Sequence, residues 1–298
     1  MQKIIPSLWF DGNAEEAMNF YTSIFKNSKT GQVSYYGDEG PGKKGSPMVM
    51  TFRIEGLEFM AINGGPEFTF TPAISLFVNC TSGEEMDELF RNLSEDGNVL
   101  MEPGSYSFSE KFAWFNDKYG LSWQLNFAGT KAGFKQKIIP FFLFVGQEHG
   151  NAEEALRFYT SLFPDSAITA VEHFGPNDNE PEGTLKQGKF SLCGLEFIAM
   201  DSSLAHAFTF TPAFSFMVNC TDQAEVDFFW NKLSEGGNMG QCGWLEDRYG
   251  VAWQIVPEAL GGMMNDKDPQ KASRVRKALL KMNKLEIEKL KEAYAGSD

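Results

Sequence analysis

Asn13-Ala14-Glu15-Glu16-Ala17 and, a turn later, Phe20-Tyr21-Thr22-Ser23 form a stretch that returns in the same chain as Asn151-Ala152-Glu153-Glu154-Ala155 and Phe158-Tyr159-Thr160-Ser161. The recurrence extends outward on both sides. Phe68-Thr69-Phe70-Thr71-Pro72-Ala73 returns as Phe208-Thr209-Phe210-Thr211-Pro212-Ala213, and Trp123-Gln124 returns as Trp253-Gln254. A repeat of this length is a duplicated domain rather than a solenoid unit. Two copies in one chain can do what a homodimer does, burying one face of each and placing equivalent pockets about a pseudo-twofold axis.

Within each copy the same order of elements is expected. A short apolar strand (4–10, 138–145) precedes the quoted stretch, which reads as a helix. Asn13 stands at the N-cap with Glu16 three residues on, a capping-box spacing. Ala14, Ala17, Met18, Tyr21, Ile24 and Phe25 follow at helical intervals. Three strand-like runs come next (30–36, 48–54, 57–63), the last two joined at Glu55-Gly56 and matched by Cys193-Gly194. The pattern then restarts at 73–79, with Ser82 and Glu85 (Asp222 and Glu225 in the second copy) opening another helix. The fold class expected is therefore α+β: four β-α-β-β-β modules in two copies packed as an internal pseudo-dimer. The domains expected are 1–129 and 137–256, a linker at 130–136 and a helical tail at 257–298. About ten residues after Asn98 have no counterpart after Asn238, so the second copy should lack a strand there. In the tail, Asp268-Pro269 reads as N-cap and first helical residue. Val275, Leu279, Met282, Leu290 and Tyr294 give an apolar stripe, broken near Asn283, that should pack on the body.

The net charge of −14 argues against nucleic acid or an anionic membrane surface as partner. No apolar run is long enough to span a bilayer, and the first residues lack a signal-peptide core. Cys80, Cys193, Cys220 and Cys242 show no metal-binding spacing and read as reduced, structural thiols of a cytoplasmic protein.

Three stretches carry a family resemblance: Leu8-Trp9-Phe10-Asp11-Gly12-Asn13-Ala14-Glu15-Glu16-Ala17; Asn63-Gly64-Gly65-Pro66 with Phe68 and Phe70; and Cys242-Gly243-Trp244-Leu245 with Asp247-Arg248-Tyr249-Gly250-Val251, Trp253 and Gln254. With the paired modules, they resemble the PhnB-like branch of the vicinal oxygen chelate superfamily. That is the glyoxalase/bleomycin-resistance/dioxygenase fold, in a branch often labelled 3-demethylubiquinone-9 3-methyltransferase. The resemblance covers 3–127 and 137 to about 256, and the tail is similar to the branch's C-terminal extension. It implies a cup of curved sheet in each copy. In metal-dependent relatives His, Glu and Gln from four strands hold a divalent ion there. Counted from the helix, those positions fall here on Pro6 and Pro140, near Ala73 and Ala213, and on Gln124 and Gln254. Pro and Ala offer no side-chain donor, and none of His149, His173 and His206 falls at such a position. No metal and no other cofactor are therefore expected.

The candidate catalytic residues are Gln124, Gln254, Glu58 and Glu196. Because Trp123 and Gln124 point to opposite faces of one strand, only one of them can line the cup. The expected ligand-binding residues are Trp9, Asn63, Phe68, Phe70, Ser75 and Trp114, with Asp201, Phe208, Phe210, Ser215 and Trp244 in the second copy. An aromatic wall with a few amides suits a small planar organic molecule. Three functions stay open: a small-molecule binder of the resistance-protein kind, an enzyme of the family (a chelate-type lyase or isomerase, or the labelled methyltransferase), and a non-catalytic interaction protein. A small-molecule ligand is the expected partner, and assembly into a further homodimer is left open. The glycine-rich 37–45 stretch nearly matches a P-loop, but Lys44 stands where Ser or Thr is needed. It reads as a hairpin loop.

Overall fold

The computed structural model describes residues 2–40, 42–129 and 133–296. The first copy supplies β1 (Ile4–Phe10), α1 (Ala14–Ile24), β2 (Ser28–Tyr35), β3 (Pro47–Ile54) and β4 (Leu57–Asn63). It continues with β5 (Ile74–Asn79), α2 (Gly83–Leu93), β6 (Asn98–Tyr106), β7 (Ser109–Asn116) and β8 (Ser122–Phe127). The second copy supplies β9 (Ile138–Phe144), α3 (Ala152–Leu162), β10 (Ala167–His173), β11 (Leu185–Leu192) and β12 (Leu195–Asp201). Then follow β13 (Phe214–Cys220), α4 (Gln223–Leu233), β14 (Asn238–Met239), β15 (Trp244–Glu246) and β16 (Ala252–Pro257). The tail forms α5 (Ala259–Met264), α6 (Pro269–Leu279) and α7 (Ile287–Ala295).

The modules are shared out between two eight-stranded sheets, and each sheet takes one module from each copy. One has the order β14-β15-β16-β13-β1-β4-β3-β2, the other β10-β11-β12-β9-β5-β8-β7-β6. The seam of the first is the antiparallel pair β1–β13, with Ser7 opposite Ser215. The seam of the second is β5–β9, with Ser75 opposite Phe141. The chain divides accordingly into unit 1 (1–22, 27–69, 211–298) and unit 2 (23–26, 70–210).

Alternation along the strands fixes the core of unit 1. Leu8, Phe10, Phe52, Phe59, Ala61, Phe216, Val218 and Trp253 are buried. On that side Phe52 stacks on Phe59 and on Tyr21 of α1. In unit 2, Phe190 and Phe197 stack in the same way, with Phe142 against both. The turn acids complete each core. Asp117 accepts from the Tyr119 and Leu121 amides and from Trp123 Nε1 (2.9, 3.1 and 2.8 Å). Asp247 does the same for Tyr249, Val251 and Trp253.

The helix caps differ from the sequence reading in the first modules. The α1 amide of Ala14 is taken by Asn63 Oδ1 at 2.9 Å, and Asn151 makes no side-chain cap on α3. Instead Asp201 Oδ1 accepts from Gly150 and Ala152. A buried acceptor at the strand end satisfies the open helix terminus, and in Asp201 it places a carboxylate at the positive end of the helix dipole. The caps expected on α2 and α4 do form. Ser82 and Asp222 accept from the Glu85 and Glu225 amides, while those glutamates accept from the Thr81 and Thr221 amides.

The strand expected to be missing from the second copy is shortened rather than lost. β14 and β15 have two and three residues, against nine and eight in β6 and β7. The tail supports this stunted hairpin. The Cys242 and Gly243 amides donate to the Met282 and Asn283 carbonyls (2.7 and 2.8 Å), and Leu285 packs where a Gly243 side chain would point. The expected stripe contributes Val275, Met282 and Leu290 to a cluster with Leu260, Met263 and Leu285, flanked by Leu279 and Tyr294. Asp268 caps α6 through the Gln270 amide, and the chain leaves the helix at Leu280.

At the other edge of the same sheet, Arg276 of α6 bonds Glu39 at 3.0 Å, and Ser273 bonds the same carboxylate. Burial raises the Glu39 carboxyl, but the Ser273 hydroxyl and the Arg276 guanidinium outweigh it and hold the group below the usual carboxylate range. A depressed folded value means that the stabilisation is complete above the unfolded value and is lost as pH falls through the folded one. Glu39→Gln should therefore cost about 2 kcal/mol near neutrality, since the half-buried Arg276 loses its counter-charge. The gap to the wild type should narrow as pH falls through the lowered Glu39 value, below the usual carboxylate range. Urea titrations across that range read it, and a gap independent of pH would contradict it.

All four cysteines are free thiols, with Cys80 and Cys220 buried. Burial pushes both of these up to about 12. Among the described residues no helix is long and apolar enough to cross a membrane.

Candidate functional site

The expected cup corresponds to the face of each sheet turned away from its helices. In unit 1 the strand register sets the order on that face. Ser7 lies beside Met60 and opposite Ser215, and Trp9 lies beside Ile62. Gln254 lies beside Met217 and opposite Trp244. The sheet is curved enough for the Trp9 and Trp244 rings, three strand spacings apart, to meet edge to face at 5.8 Å. Trp9 Nε1 donates to the Gly65 carbonyl at 2.8 Å, and Phe68 packs edge-on against Trp9 at 5.1 Å. A Cβ at Gly64 would overlap the indole of Trp9. This explains the Asn63-Gly64-Gly65 sequence: the glycine lets the backbone pass under the ring.

Gln254 Nε2 donates to Ser7 Oγ at 2.9 Å and to Ser215 Oγ at 3.0 Å. The three residues are 4%, 1% and 0% exposed, a polar cluster in an apolar setting. Both amide hydrogens are thereby used. Among the described residues the serine hydroxyls find no acceptor and Gln254 Oε1 finds no donor. The cluster thus retains two O–H donors and one carbonyl acceptor.

Unit 2 has the same scaffold with different contents. Gln124 Nε2 donates to Ser75 Oγ at 2.8 Å, but Phe141 stands where unit 1 has Ser7. Its ring stacks on Phe77 at 6.3 Å, in a cluster with Ile139, Leu143, Val145 and Ile198. Trp114 and Phe208 pack against that cluster, and Trp114 Nε1 donates to Ser122. Leu143 replaces Trp9, and the glycine that Trp9 requires is replaced by Ser202.

The cups thus gather Gln254, Ser215, Trp9 and Trp244 in unit 1, and Gln124, Ser75, Trp114 and Phe208 in unit 2. Trp123 and Trp253 are buried on the opposite, helix-facing side. Several expected residues lie elsewhere. Asn63 and Asp201 face the helices and cap them, because the last helix-facing position of β4 and β12 meets the start of the same module's helix, α1 or α3. Phe210 is core, edge-on to Phe142 and Phe144. Phe70 lies next to Gly120, and Phe68 is at the rim. Glu58 lies on the cup face but forms an ion pair with Arg53 at 2.5 Å. Glu196 occupies the same position opposite Ser191, without that cation.

The count from the helix is one residue out. Pro6 pairs with Phe216 on the helix side, and the cup-facing positions are Ser7 and Phe141. Ser75 and Ser215, two residues on from Ala73 and Ala213, are the strand positions that meet Gln124 and Gln254. Sequence reasoning missed Ser7, Met217, Phe77 and Phe141. The usable signal was alternation with Leu8 and Phe10, whose apolar character marks the helix side.

Hydroxyls and an amide are neutral donors and do not suit a tightly held divalent ion. Among the described residues no three His, Cys, Asp or Glu side chains are grouped to hold a metal. His173 pairs with Glu153, and His206 lies against Phe208 and Ser202. Nor does the 37–45 loop suit a nucleotide-type cofactor. It joins antiparallel β2 and β3 with no helix after it.

The architecture is the α+β fold of glyoxalase I. The maize (Zea mays) enzyme superposes with a TM-score of 0.53 at 11% identity, over 83% of this chain and 89% of that one. A point mutant of the same enzyme gives 0.55 over 86% and 94%, also at 11% identity. The chain belongs to the 3-demethylubiquinone-9 3-methyltransferase family, whose model matches residues 2–126 and again 136–256. A PhnB protein from Bacillus cereus is 53% identical over 43% of this chain and all of its own, with a TM-score of 0.41. No curated protein matches the chain.

Proposed function

We propose that the unit 1 cup binds a small, neutral, planar organic molecule. Its polar edge meets Ser7, Ser215 and Gln254, and its ring lies against Trp9 and Trp244. The observation that carries this is the single Gln254 amide bound to both seam serines. The serine hydroxyls and the Gln254 carbonyl keep hydrogen-bonding capacity that the polar edge of a ligand can use. The floor carries no charge, which favours a carbonyl-bearing ring over an ion. The unit 2 cup, packed with phenyl rings, serves as core, so the chain holds one site of this kind.

An enzymatic reading draws on the family description, which names methyl transfer to a demethylated ubiquinone. Such a ring is planar and carries a carbonyl, so it fits the same floor. The only carboxylate among the candidates on that face in unit 1, Glu58, is paired with Arg53. Binding is therefore favoured over acid–base chemistry.

Fluorescence titration with a panel of neutral planar aromatics, including a short-chain demethylubiquinone analogue, tests the reading. Compounds that bind the wild type should lose about thirtyfold in affinity with Gln254→Ala, equivalent to two to three hydrogen bonds. They should be unaffected by Gln124→Ala. Equal losses in both variants, or no binder at all, would refute the assignment.

A further inference from the structure

We propose that the groove between α6 and α7 binds a phosphorylated small molecule of about nucleotide size, at a site separate from the cup. The groove is a half-open depression of ≈ 660 Å³, within the volume range of small-ligand sites. Arg274, Lys277, Lys281, Lys284 and Lys289 line it, with Glu286 the one acid. This is a reversal of the surrounding charge. Residues 259–298 hold nine Lys and Arg against six Asp and Glu, whereas the whole chain holds 26 against 40.

Three of the five cations have protein partners. Lys284 pairs with Asp227 and Lys289 with Glu286, both at 2.6 Å. Arg274 donates to the Ala293 and Tyr294 carbonyls (2.8 and 2.9 Å), which ties the two helices together. Lys277 and Lys281 have no hydrogen-bond or ion-pair partner among the described residues. They stand four residues apart, Lys277 in the last turn of α6 and Lys281 just beyond its end, on the same groove. The dipole of α6 accounts for Lys277 in its last turn. It does not account for the convergence of Lys281, Lys284 and Lys289 from the following loop and from α7. Ala278, Ala293 and the buried Met282 supply apolar surface in the same groove. Cations beside an apolar wall, in a concavity of this volume, match a ligand with several phosphate oxygens on a compact organic body. A flat protein partner would not need the hollow.

Calorimetric titration of the full chain with ADP and with inorganic pyrophosphate, at low and at moderate salt, tests the site. Both probes should bind saturably at low salt and weaken as salt rises, and ADP should bind more tightly. Lys277→Ala/Lys281→Ala should lose at least about tenfold for both probes. Both lysines are exposed, so the variant should fold as the wild type does, which circular dichroism checks. Lys26→Ala/Lys29→Ala, an exposed pair elsewhere, should change nothing. The proposal fails if neither probe binds at low salt, if the two double variants bind alike, or if sulfate competes as well as pyrophosphate. None of these outcomes bears on the cup, because Gln254→Ala should leave both probes' affinities intact.

Discussion

Trp253→Ala should destabilise unit 1 by about 4 kcal/mol, the largest single effect expected in the chain. Trp253 is fully buried and packs against Phe216 at 5.5 Å. Truncation removes the ring and leaves a cavity that β13 and β16, held in register by their ladder, cannot collapse to fill. It also deprives Asp247 Oδ2 of its indole donor in the buried turn. Trp253→Phe separates the two contributions. It keeps most of the volume and loses the hydrogen bond, for about 2 kcal/mol. Urea denaturation followed by circular dichroism reads both. An alanine variant within about 1 kcal/mol of the wild type would mean that the ring is not the core element described.

Ser7→Phe should abolish ligand binding in the unit 1 cup while leaving the protein folded. The substitution copies unit 2, where Phe141 holds the same seam position and stacks on Phe77. In unit 1 the facing residue is Met217, whose flexible side chain can yield to a ring. A phenyl group there would occupy the floor and take one acceptor from Gln254 Nε2. Binding should fall by more than about a hundredfold, at a stability cost of about 1–2 kcal/mol from overpacking. The mirror change, Phe141→Ser, should open a hollow and destabilise unit 2 by about 3 kcal/mol. Retention of ligand by a folded Ser7→Phe protein would place the site elsewhere.

The duplication, the module order and the opposition of Trp253 to Gln254 were all legible in the sequence. They rest on local patterns: repeat identity, capping residues and period-two alternation. Module partnership was not legible. The two copies are so alike that pairing β5 with β9 or with a strand of its own copy leaves the same hydrophobic pattern, and only the assembled sheet distinguishes them. The site was half legible for a related reason. Asn63 and Asp201 carry the polarity of binding residues, yet their partners are helix amides that lie far off in sequence. Ser7 carries no motif at all, and gains meaning only from Ser215 and Gln254, more than two hundred residues away. The shortened β14–β15 hairpin reads as a deletion because its supports come from the tail.

Separate expression of residues 1–129 and 133–298 puts the shared-sheet architecture to the test most directly. Ser7 and Gln254 fall on different fragments, and neither fragment holds all the strands of either sheet. Alone, each should be unfolded or self-paired. Mixed, the two should form a tight one-to-one complex that regains the circular dichroism spectrum and thermal unfolding of the intact chain. Two fragments that each fold as stable monomers, and ignore one another when mixed, would contradict the account.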